Sequence, residues 1–285
     1  MKDDEFQAFE RLTNKTKRHY RTLDVDQITP VIGAEISGVD LAQHLTAEQL
    51  AEIKCAFLDH HVLVFRDQVI TTEDHKRFAG SFGELRPVNP PPEHGDPYVL
   101  DIKTSAKDMQ IAGDGWHADG TSDAEPSLGS MLYITQVPES GCGGDTLFAN
   151  MHLAYELCSQ PMQKFLEQLT AVHDGATQIR LGSITEHPVV VRHPETGRKL
   201  LFVNPGYTSH IPQLSKDESR ALLDMLFDLI PSRPALSCRV RWQNNTLVFW
   251  DNRCVQHHAI YDYYPLSRFG HRVAINGGVP QAGTG

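Results

Sequence analysis

The order and spacing of the apolar segments constrain this chain more than any other feature. Short β-type stretches at Gly129–Thr135, Asp145–Phe148, Leu200–Val203, Cys238–Trp242, Thr246–Trp250 and Arg272–Ile275 are divided by Gly, Pro and Asn turns, with helices inserted between some of them. This is not the regular strand–helix alternation that builds a parallel sheet. Such strands must bury their apolar faces against a second sheet. The expected class is therefore mainly β with peripheral helices (α+β), as a jelly-roll or other double-sheet core.

The helices carry clear start signals. Thr46-Ala47-Glu48-Gln49 is a capping box. Leu50, Ile53, Phe57 and Leu58 then recur at helical spacing, with an end near His60. His61–Arg66 is an apolar run of strand length. A second helix is expected from Thr72, burying Phe78 and Phe82 and stopping at Gly83. A third follows Asn150 and buries Leu153, Leu157, Phe165 and Leu169. A fourth opens with Ser215-x-x-Glu218 and carries Leu222, Leu226, Leu229 and Ile230. Residues 84–115 hold Pro87, Pro90, Pro91, Pro92 and Pro97 and one expected strand at Tyr98–Ile102. An irregular stretch of this length reads as an active-site loop. Residues 1–24 are expected to form a loose or helical arm, and residues 25–285 a single catalytic domain.

Charge narrows the partners. Lys and Arg number 26 against 36 Asp and Glu, a net charge of −10. Such a chain repels phosphate backbones, so no nucleic-acid role is expected. A small anionic substrate remains compatible, given a local cluster of Arg or Lys. Fifteen histidines turn attention to metal or acid–base chemistry. The cysteines Cys55, Cys142, Cys158, Cys238 and Cys254 are odd in number and lack a C-x-x-C pair, which fits a reducing compartment. The charged first twenty residues do not read as a signal peptide, and no apolar run reaches membrane-span length. A cytoplasmic enzyme without membrane contact is expected.

The sharpest local feature is Trp116-His117-Ala118-Asp119. In a strand, residues two apart share a face, so His117 and Asp119 would offer an imidazole and a carboxylate to one ion. The segment from Phe249 to Arg272 supplies a third candidate, His257 or His258, and two arginines, Arg268 and Arg272. Two histidines and one carboxylate on one face of a metal form the facial triad of non-haem Fe(II) oxygenases. The open positions can take a bidentate co-substrate and oxygen. A nearby guanidinium can grip the far carboxylate of a 2-oxo diacid.

With these motifs in order, the sequence resembles the 2-oxoglutarate-dependent dioxygenases related to taurine dioxygenase and 2,4-dichlorophenoxyacetate dioxygenase. The resemblance runs over roughly residues 25–280. It includes Pro30–Asp40, Val64–Gln68, Phe82–Leu85, Trp116–Asp119, Gly143–Leu147, Asn204–Ile211 and Trp250–His257. It implies a double-stranded β-helix (jelly-roll) core, with His117, Asp119 and His257 as ligands of catalytic Fe(II) and 2-oxoglutarate and O2 as co-substrates. It implies that Arg268, eleven residues beyond His257, binds 2-oxoglutarate together with Thr146. It implies that Arg272 meets an anionic group on a small-molecule substrate, and that the protein forms a homodimer or homotetramer. Succinate and CO2 would be released as the substrate is hydroxylated, with cleavage or desaturation as further outcomes. Neighbouring strand residues face opposite ways, so His258 is expected in packing or at the surface. The same is expected of His60, His61, His94, His187 and His193. Trp116 and Trp250 are expected to pack and limit water, and Asp251-Asn252-Arg253 to form a turn with locally paired charges.

The sequence also departs from the family. Arg86-Pro87-Val88-Asn89 stands where the taurine enzyme has His-Pro-Val-Tyr, and Gly113 where it has an asparagine. These changes count against taurine itself. Arg86 and Asn89 become substrate-contact candidates, and Arg86 with Arg272 would suit a carboxylate, sulfonate or sulfate. Thr177–His187, where the family has a lid, offers Arg180 and Ile184. Two other classes fit parts of the pattern. A zinc hydrolase could use the same three ligands, but would not need Arg268 and Thr146 at these spacings. A non-catalytic cupin-like binding protein would be expected to lack a ligand.

Overall fold

The computed structural model describes residues 3–13, 18–92, 95–109, 111, 113–141, 143–177 and 182–283. Its largest sheet has eight strands. Seven lie in the order Asp24–Gln27, Ala34–Ser37, Val62–Phe65, Thr246–Asp251, Gly129–Gln136, Arg268–Ile275 and Leu85–Arg86, and Leu100–Thr104 also pairs with Arg268–Ile275. The opposing sheet consists of Ser237–Val240, Thr146–Asn150 and Val255–Ala259. Two smaller three-stranded sheets flank them.

The period-two pattern of each long strand explains the layering. Leu63, Phe65, Met131, Tyr133, Leu247, Phe249, Val273 and Ile275 point to one side of the large sheet. There they pack under helices Ala47–His60 and Thr72–Gly80 through Ile53, Phe57, Phe78 and Ala79. The alternate residues Val62, Val64, Leu132, Ile134, Val248 and Trp250 face inward and share a core with Phe148, Cys238, Val240 and Val255 of the opposing sheet. The Phe148 and Trp250 rings lie 5.7 Å apart across this interior. Two sheets closed over one core are the expected jelly roll.

The capping boxes at Thr46/Gln49 and Ser215/Glu218 form as the sequence predicts. Thr72–Gly80 is likewise boxed, by Thr71 and Asp74, and ends three residues before Gly83. The single helix expected after Asn150 is two, Met151–Glu156 and Gln160–Leu166. Pro161 sits in the first turn of the second, where its missing N–H costs nothing, and restarts the chain in a new direction. Phe165 is consequently exposed rather than buried. The strand expected at Arg272–Ile275 begins earlier, at Arg268. In the arm, helix Asp3–Thr13 buries Ala8 against the inner core. No helix among the described residues is long and apolar enough to cross a membrane.

Candidate active site

His117 is held by the backbone itself. It forms an isolated antiparallel bridge with His257, His117 N donating to His257 O at 3.0 Å and His257 N to His117 O at 2.8 Å. The bridge sets the two imidazoles side by side, with ring centroids 4.1 Å apart. The Asp119 carboxylate completes the group. Its Oδ1 lies 3.7 Å from His117 Nε2 and 3.9 Å from His257 Nε2. All three residues are buried. His117 Nδ1–H donates to the Gly115 carbonyl at 2.9 Å, which leaves the Nε2 lone pair facing Asp119 and His257. His258, on the opposite face of its strand, contacts Asp114 at 3.2 Å and the edge of Trp116.

Electrostatics keep this group ready for a cation. Burial would raise the pKa of Asp119, but Arg272 first, then His257 and His117, hold its carboxyl well below the usual range. Burial, followed by the neighbouring His117, lowers His257 to about 3, so its imidazole is neutral at physiological pH. Each Asp119 oxygen has a protein donor: Arg272 Nη1 to Oδ1 at 2.9 Å and Ser130 Oγ to Oδ2 at 3.0 Å.

The turn 251–253 does more than pair its own charges. Arg253 binds Asp251 through Nε at 2.8 Å and Nη2 at 2.7 Å, but also reaches Glu195, and His193 Nε2–H donates to the same carboxylate at 3.0 Å. Asn252 grips the backbone of Asp119. Its Oδ1 accepts from Asp119 N at 2.7 Å, and its Nδ2 donates to Asp119 O at 2.9 Å and Ser127 O at 3.2 Å. Sequence reasoning missed Asn252 and Ser130, because their partners lie 133 and 11 residues away and no local pattern links them.

Arg268 and Arg272 share a face of strand Arg268–Ile275. Arg268 is buried, its Nη1 donates to Gly144 O, and its Nε has no partner among the described residues. Thr146 is buried in the opposing sheet and accepts a hydrogen bond from Trp242 Nε1 at 3.0 Å. Arg86 is tied to the Asp123 carboxylate and to Glu125 O rather than left open. Asn89 is exposed beside a cis Asn89–Pro90 bond, and among the described residues no hydrogen bond joins it to His117, Asp119 or His257. Ile184 is exposed at the start of a strand, and Arg180 and His94 lie outside the described residues. Trp250 is buried with its ring 4.8 Å from His257. His61, His187 and His193 are buried as well. Gly113 adopts φ +84°, and a Cβ there would stand 3.2 Å from His117 Cε1. The glycine thus leaves room beside His117 that an asparagine would fill.

A jelly roll that brings two imidazoles and one carboxylate together in its interior defines a non-haem metal site of the facial-triad class. The donor set suits Fe(II), and the buried, unpartnered Arg268 Nε suits an acidic co-substrate. A family model described as "Taurine catabolism dioxygenase TauD, TfdA family" matches residues 24–274, and the chain belongs to this family. It is 33% identical over 280 residues to an alkylsulfatase of Acinetobacter baylyi, covering 90% of this chain and 86% of the relative. It is 31% identical over 281 residues to an alpha-ketoglutarate-dependent sulfonate dioxygenase of Saccharomyces cerevisiae, covering 90% and 68%. A solved taurine dioxygenase from Burkholderia xenovorans superposes with TM-score 0.82 at 34% identity, covering 91% of this chain and 93% of that one. The chain is a 2-oxoglutarate-dependent non-haem iron dioxygenase, with Fe(II), 2-oxoglutarate and O2 as its cofactor and co-substrates.

Proposed function

We propose that this dioxygenase oxidises a small organic sulfonate or sulfate ester at the carbon bearing the heteroatom. The observation that carries this is Arg272. Its guanidinium touches the Asp119 carboxylate and keeps 28% of its side chain exposed, so donors remain for an anionic group beside the metal ligands. The names of the relatives, which include a sulfatase and a sulfonate dioxygenase, support the same substrate class.

In this reading His117, Asp119 and His257 hold Fe(II), which when bound with 2-oxoglutarate supplies the oxidation chemistry. Arg268 grips the far carboxylate of 2-oxoglutarate through paired charge-assisted hydrogen bonds, with Thr146 as a second donor. Arg272 holds the substrate anion so that one C–H bond is presented to the centre. Trp250 and Phe148 line the wall behind His257 and keep water out. Oxidation of a sulfate ester at its O–CH2 carbon gives an unstable hydroxylated product. That product falls apart to an aldehyde and sulfate, while 2-oxoglutarate and O2 become succinate and CO2.

The test is a panel of sulfonates, sulfate esters, aryloxy acids, amino acids and neutral apolar molecules, scored by succinate release and product mass. A sulfonate or sulfate ester should be turned over best. Arg272→Ala, assayed at saturating iron, should raise the KM for that substrate and increase succinate formed without product. A neutral molecule turned over best, with the Arg272→Ala variant unimpaired, would overturn the reading.

A further inference from the structure

A second cluster of metal-ligating side chains lies away from the three ligands already described. His61 caps the C-terminus of helix Ala47–His60 in a left-handed conformation, φ 65°. His152 lies on helix Met151–Glu156, and Cys254 in the turn between strands Thr246–Asp251 and Val255–Ala259. They are 2%, 0% and 1% exposed. One ligand atom from each lies within 4.8 Å of the other two. Cys254 Sγ is 3.6 Å from His61 Nδ1. An ion with metal–nitrogen bonds near 2.0–2.1 Å and a metal–sulfur bond near 2.3 Å separates two such ligands by roughly 3.5 Å.

His152 supplies the independent observation. Its Nδ1–H donates to the Lys199 carbonyl at 2.8 Å, which fixes the tautomer and leaves a lone pair on Nε2. That Nε2 is buried and has no hydrogen-bond partner among the described residues. A backbone carbonyl orienting one nitrogen while the other stays open is the usual arrangement of a ligating histidine. His193, Asp251 and Cys254 lie equally close together, but that group is already satisfied. His193 Nδ1 accepts from the Glu195 and Thr196 amides and its Nε2–H serves Asp251, whose carboxylate is held by Arg253.

We propose that His61, His152 and Cys254 form a buried second metal site for a thiophilic d10 cation, zinc(II) or copper(I). Two imidazoles and one thiolate are the donors such ions prefer. Binding would displace the Cys254 thiol proton to solvent, and the thiolate would offset the charge of the ion in a dry interior. The ion would tie a helix end, a second helix and the turn that leads into the His257 strand. Its role would be to brace that strand, separate from the reaction.

The test uses the full chain carrying His117→Ala and His257→Ala, which removes the first site. It is produced in cells supplied with zinc or with copper, so that the ion can enter during folding, and its metal content is measured as isolated. A stoichiometric content of one of the two metals is expected, and the two supplements decide which. Adding Cys254→Ser or His152→Gln to this background should abolish the metal and lower the thermal midpoint. Protein produced with cobalt should show a thiolate-to-cobalt charge-transfer band that Cys254→Ser removes. If Cys254→Ser does not fold, His152→Gln carries the same comparison. Folded protein with only trace metal in every arm, or metal retained equally when Cys254 or His152 is replaced, would overturn the proposal.

Discussion

Asn252→Ala tests how far the fold, rather than the ion, aims the Asp119 carboxylate. Asn252 is 2% exposed, and its side chain satisfies three buried backbone groups: the N–H and C=O of Asp119 and the C=O of Ser127. Alanine strands all three. A buried group left unpaired costs about 1–3 kcal/mol, so the lower bound for three is roughly 3 kcal/mol of stability. The freed segment also carries a proposed ligand, and loss of such support typically weakens metal binding by about 10–100-fold. Asn252→Asp keeps the acceptor for Asp119 N–H but turns an oxygen toward two carbonyls, so it should fare no better. Stability is read by denaturant unfolding. Iron affinity is read by anaerobic Fe(II) titration with 2-oxoglutarate, followed through the visible charge-transfer band. If Asn252→Ala loses stability yet binds iron as the parent does, Asn252 does not position the ligand. If neither changes, the three hydrogen bonds carry no net energy and the reasoning fails.

Three other outcomes are expected. His117→Ala, Asp119→Ala and His257→Ala should each abolish substrate-coupled succinate release, whereas His258→Ala, which loses its contacts with Asp114 and Trp116, should keep most of it; equal loss at His258 would assign the metal-binding role to His258 as well. Arg268→Ala should raise the 2-oxoglutarate requirement by about tenfold to several hundredfold, since each charged hydrogen bond is worth roughly 1.5–3 kcal/mol and 1.4 kcal/mol is a factor of ten. Arg268→Lys should recover part of this, and unchanged 2-oxoglutarate KM values in both variants would refute the assignment. Burial would raise Asp251, but Arg253 and then His193 hold it well below its ordinary pKa. Its stabilising contribution is therefore present above the unfolded carboxylate value near 3.9 and is lost as pH falls below it toward the folded value. Asp251→Asn should cost about 3 kcal/mol at neutral pH, the low end for breaking a buried pair because Glu195 stays on Arg253, and should flatten the acid limb of the stability curve; an unaltered acid limb measured by urea unfolding would contradict this.

The sequence showed those parts whose signal is local. Capping boxes at Thr46 and Ser215 and apolar strand runs such as Thr246–Trp250 reappear within a residue or two of the expected bounds. Local signals failed where an element is polar by local pattern. Arg268–His271 did not read as strand, since charged and glycine positions face the interior there. The His-x-Asp spacing and the pair His257/His258 pointed to the ligand group, because strand periodicity decides which side chains share a face. The side chains that support it were hidden. Asn252 reads as a turn residue, and nothing within 133 positions suggests that it holds Asp119. Arg86 read as a substrate contact, and only the fold brings Asp123 and Glu125 to it.

The backbone bridge between His117 and His257 bears on which ion the enzyme carries in practice. In the proposed metal site the chain aligns these two imidazoles by ordinary strand pairing, so a cation would meet a finished receptor and need not organise one. The binding energy is then not consumed in folding, unlike in domains that collapse only around their metal. A preset nitrogen and oxygen donor set also has little means of rejecting a divalent competitor, and intrinsic affinity rises from iron toward copper. Discrimination passes from the protein to the metal pools of the cell. Material purified aerobically should carry a mixture of ions, and its specific activity should track its iron content rather than its folded fraction.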